Sequence, residues 1–235
     1  MTGIYRFADM NVAVTSQYPA VHTLCAEYRT DAAPDFAVEI SRSDIDRERA
    51  VAGQGTASDS CLETLAVYRA IAEKAPERGA FLFHGSALAV DGQGYVFAAP
   101  SGVGKSTHAR LWRELLGERV TMINDDKPLI RVYGDGTAAV YGTPWDGKHR
   151  LSMNMSAPLR AVCVLERGEV NHIRPIPKTE ALPALIRQTY RPRDPAALKA
   201  TMALLDQMNV RLYRLCCNME PSAAELSFSA MSGEE

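Results

Sequence analysis

The sequence predicts an α/β fold. The core has a mixed, twisted sheet built from hairpins and one strand–loop–helix–strand unit, and a small N-terminal α+β module precedes it. Three observations predict this. Apolar runs flank two tight turns, Asp91-Gly92-Gln93-Gly94 and Gly134-Asp135-Gly136, as in antiparallel hairpins. The apolar run Tyr95 to Ala98 leads through a small-residue loop into a helical pattern and then another apolar run, Val120 to Ile123. That order is typical of a parallel unit. Hairpins and a parallel unit in one core require a mixed sheet.

The elements follow in order. Residues 1–58 form the small module, with strands at Ile4 to Phe7, Val12 to Val14 and Phe36 to Ile40, and short helices at Ala20 to Tyr28 and Ser43 to Arg49. The small, polar stretch Val51 to Ser58 reads as a connection to the core, residues 59–235. Leu62, Leu65, Ala66, Tyr68, Ile71 and Ala72 recur at helical spacing over Ser60 to Ala75. Phe81 to Val90 and Tyr95 to Ala98 are the strands of the first hairpin. After the loop, Leu111, Trp112, Leu115 and Leu116 line a helix that stops at Gly117. Leu129 to Tyr133 and Thr137 to Tyr141 form the second hairpin, followed by the loop Gly142 to His149. Ala161 to Leu165 and His172 to Ile176 are strands. Lys178 to Tyr190 is helical, with Pro183 expected in its first turn or at a bend. Asp194-Pro195 caps a helix through Leu198, Met202 and Leu205; Val210 to Leu215 is a strand and Pro221 to Met231 a last helix.

Composition narrows the class. The chain of 235 residues is 46% apolar and 23% charged, as in globular proteins. No window has the apolar length of a membrane span, and Met1 to Asp9 lacks the basic start and apolar core of a secretory signal. A cytoplasmic protein without a membrane partner is expected. The net charge of −2 gives no preference for nucleic acid. Residues 148–214, however, hold 12 Lys and Arg against 5 Asp and Glu. That surplus reads either as an attractor for an anionic substrate or as solvated surface. Five scattered cysteines, without a C-x-x-C pair or zinc spacing, read as reduced and mostly buried thiols.

The chemistry centres on Ala99-Pro100-Ser101-Gly102-Val103-Gly104-Lys105-Ser106-Thr107, between a strand and a helix. This is a Walker A phosphate loop, with Ala99 in place of the usual first glycine. Gly102 and Gly104 let backbone N–H groups turn toward an anion, together with Ser101, Val103 and Thr107. Lys105 brings a positive charge to the β/γ-phosphates, and Ser106 offers a hydroxyl to Mg²⁺. The expected cofactors are therefore ATP and Mg²⁺. Asp125 and Asp126 end the next strand, 20 residues past Lys105. If that strand lies beside the loop strand, one carboxylate reaches the metal and the other takes a proton from an attacking hydroxyl. Ser106 is an expected metal ligand, and the residues alone leave open which Asp joins it and which is the base. His84, in the strand read as pairing with the loop strand, is either a core residue or one that orients phosphate or an acid. Trp145, Lys148, His149 and Arg150 form a candidate acceptor patch; Arg187, Arg191 and Arg193 form another.

His84-Gly85, a hairpin, Pro100 to Ser106 and Asp125-Asp126 together resemble the catalytic core of HPr kinase/phosphorylase, which is grouped with phosphoenolpyruvate carboxykinase. The resemblance covers residues 80–130. It implies a Mg²⁺-dependent kinase acting on a serine hydroxyl, with Lys105 at the β/γ-phosphates, Ser106 and Asp126 on the metal, Asp125 as the base, and His84 at the phosphates. The Arg- and Gly-rich signature of phosphorolysis in that family is absent, and Gly142 to His149 occupies its region. The resemblance thus implies a divergent relative with another acceptor; the wider group includes kinases of peptide serines. The expected partners are a nucleotide, a hydroxyl acceptor that is either a peptide serine or a small molecule, and a second copy of the chain. The competing readings are a nucleotide-binding regulatory module without transfer and a carboxykinase-like enzyme.

Overall fold

The computed structural model describes residues 1–52, 57–147 and 150–233. In chain order the elements are β1 (Thr2–Phe7), β2 (Met10–Thr15), α1 (Ala20–Leu24), β3 (Phe36–Glu39), α2 (Arg42–Ala52), α3 (Asp59–Lys74), β4 (Ala80–Leu82), β5 (Ser86–Val90), β6 (Gln93–Ala98) and α4 (Lys105–Leu116). They continue with β7 (Val120–Asn124), β8 (Leu129–Val132), β9 (Ala138–Tyr141), β10 (Ser156–Arg167), β11 (His172–Pro175), α5 (Lys178–Gln188), α6 (Pro195–Gln207), β12 (Arg211–Cys217) and α7 (Pro221–Ser232).

The α/β reading holds. A nine-stranded mixed sheet runs β4-β8-β9-β10-β6-β5-β7, with β12 and then β11 branching from β10. The parallel pairs are β10 with β6 and β10 with β12; the hairpins β5/β6 and β8/β9 are antiparallel and belong to this sheet, as does the antiparallel pair β11/β12, whose strands are joined through α5 and α6. The 12-residue β10 lets the sheet curl. Its first residues pair with β9 and its later ones with β6 and β12. A separate three-stranded sheet, β1-β2-β3, carries the N-terminal module.

Three apolar clusters hold these layers together. One lies under the small sheet, where Tyr5, Phe7, Val12 and Val14 meet Leu62, Ala66 and Ile71 of α3, and also Leu129 and Trp145. A second packs β5, β6 and the β8/β9 hairpin against α5 and α6. A third puts α4 and α7 on the other face, around the fully buried Trp112. Glu63, fully buried on α3, fastens the small module through Gln17 N–H (2.6 Å) and Tyr18 N–H (2.9 Å). Both bonds are charge-assisted, which makes them stronger than neutral ones.

Several local expectations need correction. The run 81–90 is not one strand: it breaks at residues 83–85, so that β4 pairs with β8 while β5 pairs with β6. His84 therefore lies in the break, not in the strand beside β6. The cause is hydrogen bonding outside the ladder: His84 N–H donates to Gln188 O (2.7 Å) and Gly85 N–H to Asp126 O (3.2 Å). The helix read over 20–28 ends at Leu24, and a 3₁₀ turn follows at Ala26–Tyr28. Pro183 sits inside α5, not in its first turn. Of the cysteines, Cys25 and Cys163 are buried, Cys61 is exposed, and Cys216 and Cys217 are half-buried. Residues 53–56 of the connection Val51 to Ser58 lie outside the described residues.

Candidate active site

Residues 99–104 join β6 to α4. Gly102 and Gly104 have φ of +79° and +130°, and a Cβ at either would meet nothing within 4 Å. Backbone conformation, not crowding, is what calls for glycine there. The empty space beside them is the cradle that an anion needs. The first closed helical bond is His108 N–H to Gly104 O (2.9 Å). Helix geometry leaves the N–H groups of Lys105, Ser106 and Thr107 without intrahelical acceptors, at the positive end of α4. Arg167, the last residue of β10, donates to the Gly102 carbonyl and, through Nε at 3.2 Å, to the Val103 carbonyl. In a trans peptide the N–H points opposite its C=O, so holding the Val103 carbonyl directs the Gly104 N–H away from Arg167.

Lys105 is only 8% exposed, and its Nζ donates to Ala99 O at 2.7 Å. Burial lowers its pKa, opposed by Asp126 and Asp125 and assisted by Lys127. The ammonium is thus poorly solvated and, among the described residues, its hydrogen-bond partner is the Ala99 carbonyl.

The acids stand at the end of β7. The order β6-β5-β7 shows that their strand is not adjacent to the loop strand; β5 separates them, antiparallel to both. The ends of β6 and β7 still emerge on the same edge. Asp125 is 8% exposed, and its Oδ1 accepts from Ser86 Oγ at 2.6 Å. Asn124, fully buried, shapes the turn. Its Oδ1 accepts from the Asp126 N–H (2.8 Å) and Lys127 N–H (2.6 Å), and its Nδ2 donates to Thr143 O (3.0 Å) and Trp145 O (3.3 Å). Asp126 Oδ1 lies 2.8 Å from Lys127 Nζ and 3.4 Å from His84 Nε2. Burial, reinforced by Lys105 and Lys127, pushes His84 down to about 4 against the pull of Asp126. His84 is therefore neutral at pH 7 in the free protein.

Gly102, Gly104, Lys105, His84, Asp125, Asp126 and Lys127 line one cleft of about 1250 Å³. Its floor is the loop between β6 and α4, and Asp125, Asp126, Lys127 and His84 form one side. Trp145, Asp146, Gly147 and Arg150 form another. The third side comes from α1 and α3. The hydroxyl of Ser106 and the two carboxylates are hard oxygen donors of the kind Mg²⁺ prefers. Among the described residues no group of three or more His, Cys, Asp and Glu could hold a metal by itself. That fits Mg²⁺, which takes one or two carboxylates and otherwise water and phosphate oxygens.

The model of the family described as "SynChlorMet cassette protein ScmC" matches residues 56–211. The chain belongs to that family. No curated protein matches it in sequence. In structure it is similar to the HPr(Ser) kinase/phosphatase from Coxiella burnetii, at 10% identity and a TM-score of 0.40, over 65% of this chain and 97% of that one. Among the described residues no helix is long and apolar enough to cross a membrane.

In this ScmC-family chain, Ser101, Gly102, Gly104, Lys105, Ser106, Thr107, His84, Asp125 and Asp126 come together in the cleft. Val103 points elsewhere and lines two smaller cavities behind the loop. Trp145 lines the cleft but is 7% exposed: it packs on Phe7 and Tyr68, and its indole N–H donates to Thr64 O at 2.9 Å. Arg150 reaches the cleft, whereas Lys148 and His149 lie outside the described residues. Arg187 and Arg193 line different cavities, so the second basic patch is not assembled. Sequence reasoning missed Ser86, Asn124, Lys127 and Arg167. Ser86 and Asn124 are polar residues at the ends of apolar strands, which was the available signal. Arg167 had no signal without the register of β10 beside β6.

Proposed function

We propose that this chain is an ATP- and Mg²⁺-dependent kinase that transfers the γ-phosphoryl group to the hydroxyl of a peptide serine or a small molecule. One observation carries the reading: the phosphate loop, Lys105 and the Asp pair open into the same cleft from two strand ends of one sheet. The loop N–H groups and the N-terminus of α4 bind the phosphates. Lys105 exchanges its bond to Ala99 O for a phosphate oxygen, and its poor solvation in the free state favours the exchange. Ser106 and Asp126 would hold Mg²⁺, which when bound neutralises charge developing on the phosphate oxygens. Asp125 takes the proton of the acceptor hydroxyl, with Ser86 fixing the carboxylate that does so. The acceptor oxygen–phosphorus bond forms as the bond to the β–γ bridging oxygen breaks, and that oxygen leaves with ADP. His84, neutral in the free protein, gains a proton or donates a hydrogen bond once the phosphates bring negative charge beside it.

The test is incubation with γ-labelled ATP, Mg²⁺ and hydroxyl-bearing candidates, followed by locating the label. Label on an acceptor, lost in Asp125→Asn, supports the kinase. Tight nucleotide binding with no labelled product from any acceptor points to the regulatory module instead.

A further inference from the structure

The wall of the cleft facing the Asp pair is built by the N-terminal module and α3, and no role has been given to it so far. Residues Cys61, Thr64, Leu65 and Tyr68 occur at i, i+3, i+4 and i+7 on α3, so they share one helix face. All four line the cleft. The opposite stripe, Leu62, Ala66 and Val67, is buried beneath the small sheet. Leu24, the last residue of α1, joins the first face across the cleft wall. Leu24 and Leu65 are 38% and 36% exposed. A lone exposed leucine carries no message. Two leucines from different elements, opening into a cleft that also holds two carboxylates and a phosphate loop, form a recognition surface.

The wall is held in place from both ends. Glu63 grips the chain just before α1 through the Gln17 and Tyr18 N–H groups. Asn154, on the segment leading to β10, donates to Glu27 O at 2.6 Å just after α1. The small module is therefore fastened across the cleft mouth and acts as one of its sides.

Size and chemistry identify the occupant. A pocket for one drug-sized ligand spans about 300–1,000 Å³. At about 1250 Å³ this cleft takes a second ligand beside the phosphates. The surface left for it is mixed: Leu24 and Leu65 are apolar, Glu27 offers carboxylate oxygens, and Asp146, whose Oδ2 already accepts from Ser152, adds a second carboxylate. A small polar metabolite would leave the leucines against water. A purely apolar alcohol would make no use of Glu27. An extended peptide answers both, with main-chain N–H groups for the acceptors and alternate side chains for the apolar face.

Resting on the kinase reading above, we propose that the α1/α3 wall binds a peptide whose phosphorylated serine or threonine is flanked by a bulky apolar residue seated on Leu24 and Leu65. The reaction is the one already balanced: ATP is the donor, the peptide hydroxyl attacks the γ-phosphorus, its proton passes to Asp125, and ADP leaves.

The test uses the full chain with γ-labelled ATP and a panel of serine peptides whose flanking positions carry Leu, Met, Phe, Gly, Asp or Lys. The same peptides are run with Leu24→Asp and Leu65→Asp, and the affinity of each variant for ATP is measured separately. Both leucines are more than a third exposed, so the variants should fold; circular dichroism checks this. We expect apolar-flanked peptides to be labelled at least about tenfold faster than Gly- or Asp-flanked ones, the usual worth of an apolar side chain in a pocket. Both variants should lose that advantage while binding ATP normally. Labelling that ignores the flanking residue, or that survives both substitutions, overturns the inference. So does label appearing on small alcohols such as free serine or glycerol but on no peptide, an outcome that leaves the kinase reading standing. Failure to bind ATP at all removes both.

Discussion

Lys105→Met should separate the cost of the phosphate-loop lysine from its use. The substitution nearly preserves shape but removes a charge that is 8% exposed and has one neutral partner, the Ala99 carbonyl. Burial lowers the Lys105 pKa, so the charged form is disfavoured in the folded chain relative to the unfolded one. The sign follows from linkage. The unfolded state holds the proton more tightly, so stability is reduced at pH 7 and is recovered only as pH rises above the folded pKa. Removing the charge should therefore leave the stability of the free protein unchanged or raised. Nucleotide binding should move the other way. A positioned donor of this kind is worth about 2.7–4 kcal/mol toward a charged oxygen, or roughly 100-fold or more in affinity. At 100 times Kd, ATP stabilises the wild type by about 2.7 kcal/mol. For a chain of this size each kcal/mol is about 2–4 °C, so the expected shift is about 5–10 °C. At the same concentration the variant sits near its own Kd and should shift by about 1 °C. Thermal melts of both proteins with and without Mg²⁺-ATP measure all four quantities. A variant that melts well below wild type without nucleotide, yet keeps the full ATP shift, would refute the reasoning.

Three further outcomes follow from the same geometry. Asp126→Asn should weaken Mg²⁺-ATP binding and transfer together, whereas Asp125→Asn should leave binding intact and slow single-turnover transfer by about 10²–10⁴-fold; normal transfer in both would make the acids bystanders. Trp145→Ala should cost about 3–5 kcal/mol in urea denaturation, because its ring packs on Phe7 and Tyr68 in the core; a loss below 1 kcal/mol would show the ring to be dispensable packing. His108 is 2% exposed and burial pushes it down to about 4, so the unfolded state binds an extra proton between pH 4 and its ordinary value. Stability should be full above about pH 6.5 and fall by about 2 kcal/mol on going down to pH 5, and His108→Phe should blunt that fall.

The strand–loop–helix unit that carries Lys105 was legible because its signal is local: two glycines, a lysine and a hydroxyl in one turn between a strand and a helix. The Asp pair was legible for the same reason, at the end of an apolar run. What escaped was everything decided by register. The run from Phe81 to Val90 is uniformly apolar, and apolarity alone does not reveal that residues 83–85 leave the ladder to bond Pro128, Gln188 and Asp126. Trp145 was read from its company of polar neighbours as an acceptor residue. The sequence held no sign that the small module would lay Phe7 against it. Likewise, a glutamate inside an amphipathic helix looks like solvated surface. Glu63 is buried because the two N–H groups it serves belong to a segment more than 40 residues away in the chain.

The insertion of β5 between β6 and β7 explains why the site has the members it does. In a purely parallel arrangement, neighbouring strands all end at the ligand edge, and each contributes the residues that follow it. An antiparallel strand in the middle begins at that edge instead. Here Ser86, the first residue of β5, pairs with Phe97 near the end of β6, and Ala87 pairs with Asn124 at the end of β7. The residues that precede β5 are thus delivered to the same place as the residues that follow β6 and β7. Ser86 reaches Asp125, and His84 reaches Asp126, from a segment that precedes the loop in the chain by the whole β5/β6 hairpin. A hydroxyl and an imidazole at those two positions place a hydrogen-bonding partner on each carboxylate. The partners differ in kind: Asp125 has a buried neutral donor, while Asp126 is half-buried beside Lys127 and a neutral histidine. On the kinase proposal, that difference is what would give the two adjacent acids unlike roles, one oriented for the acceptor proton and the other left open to a cation.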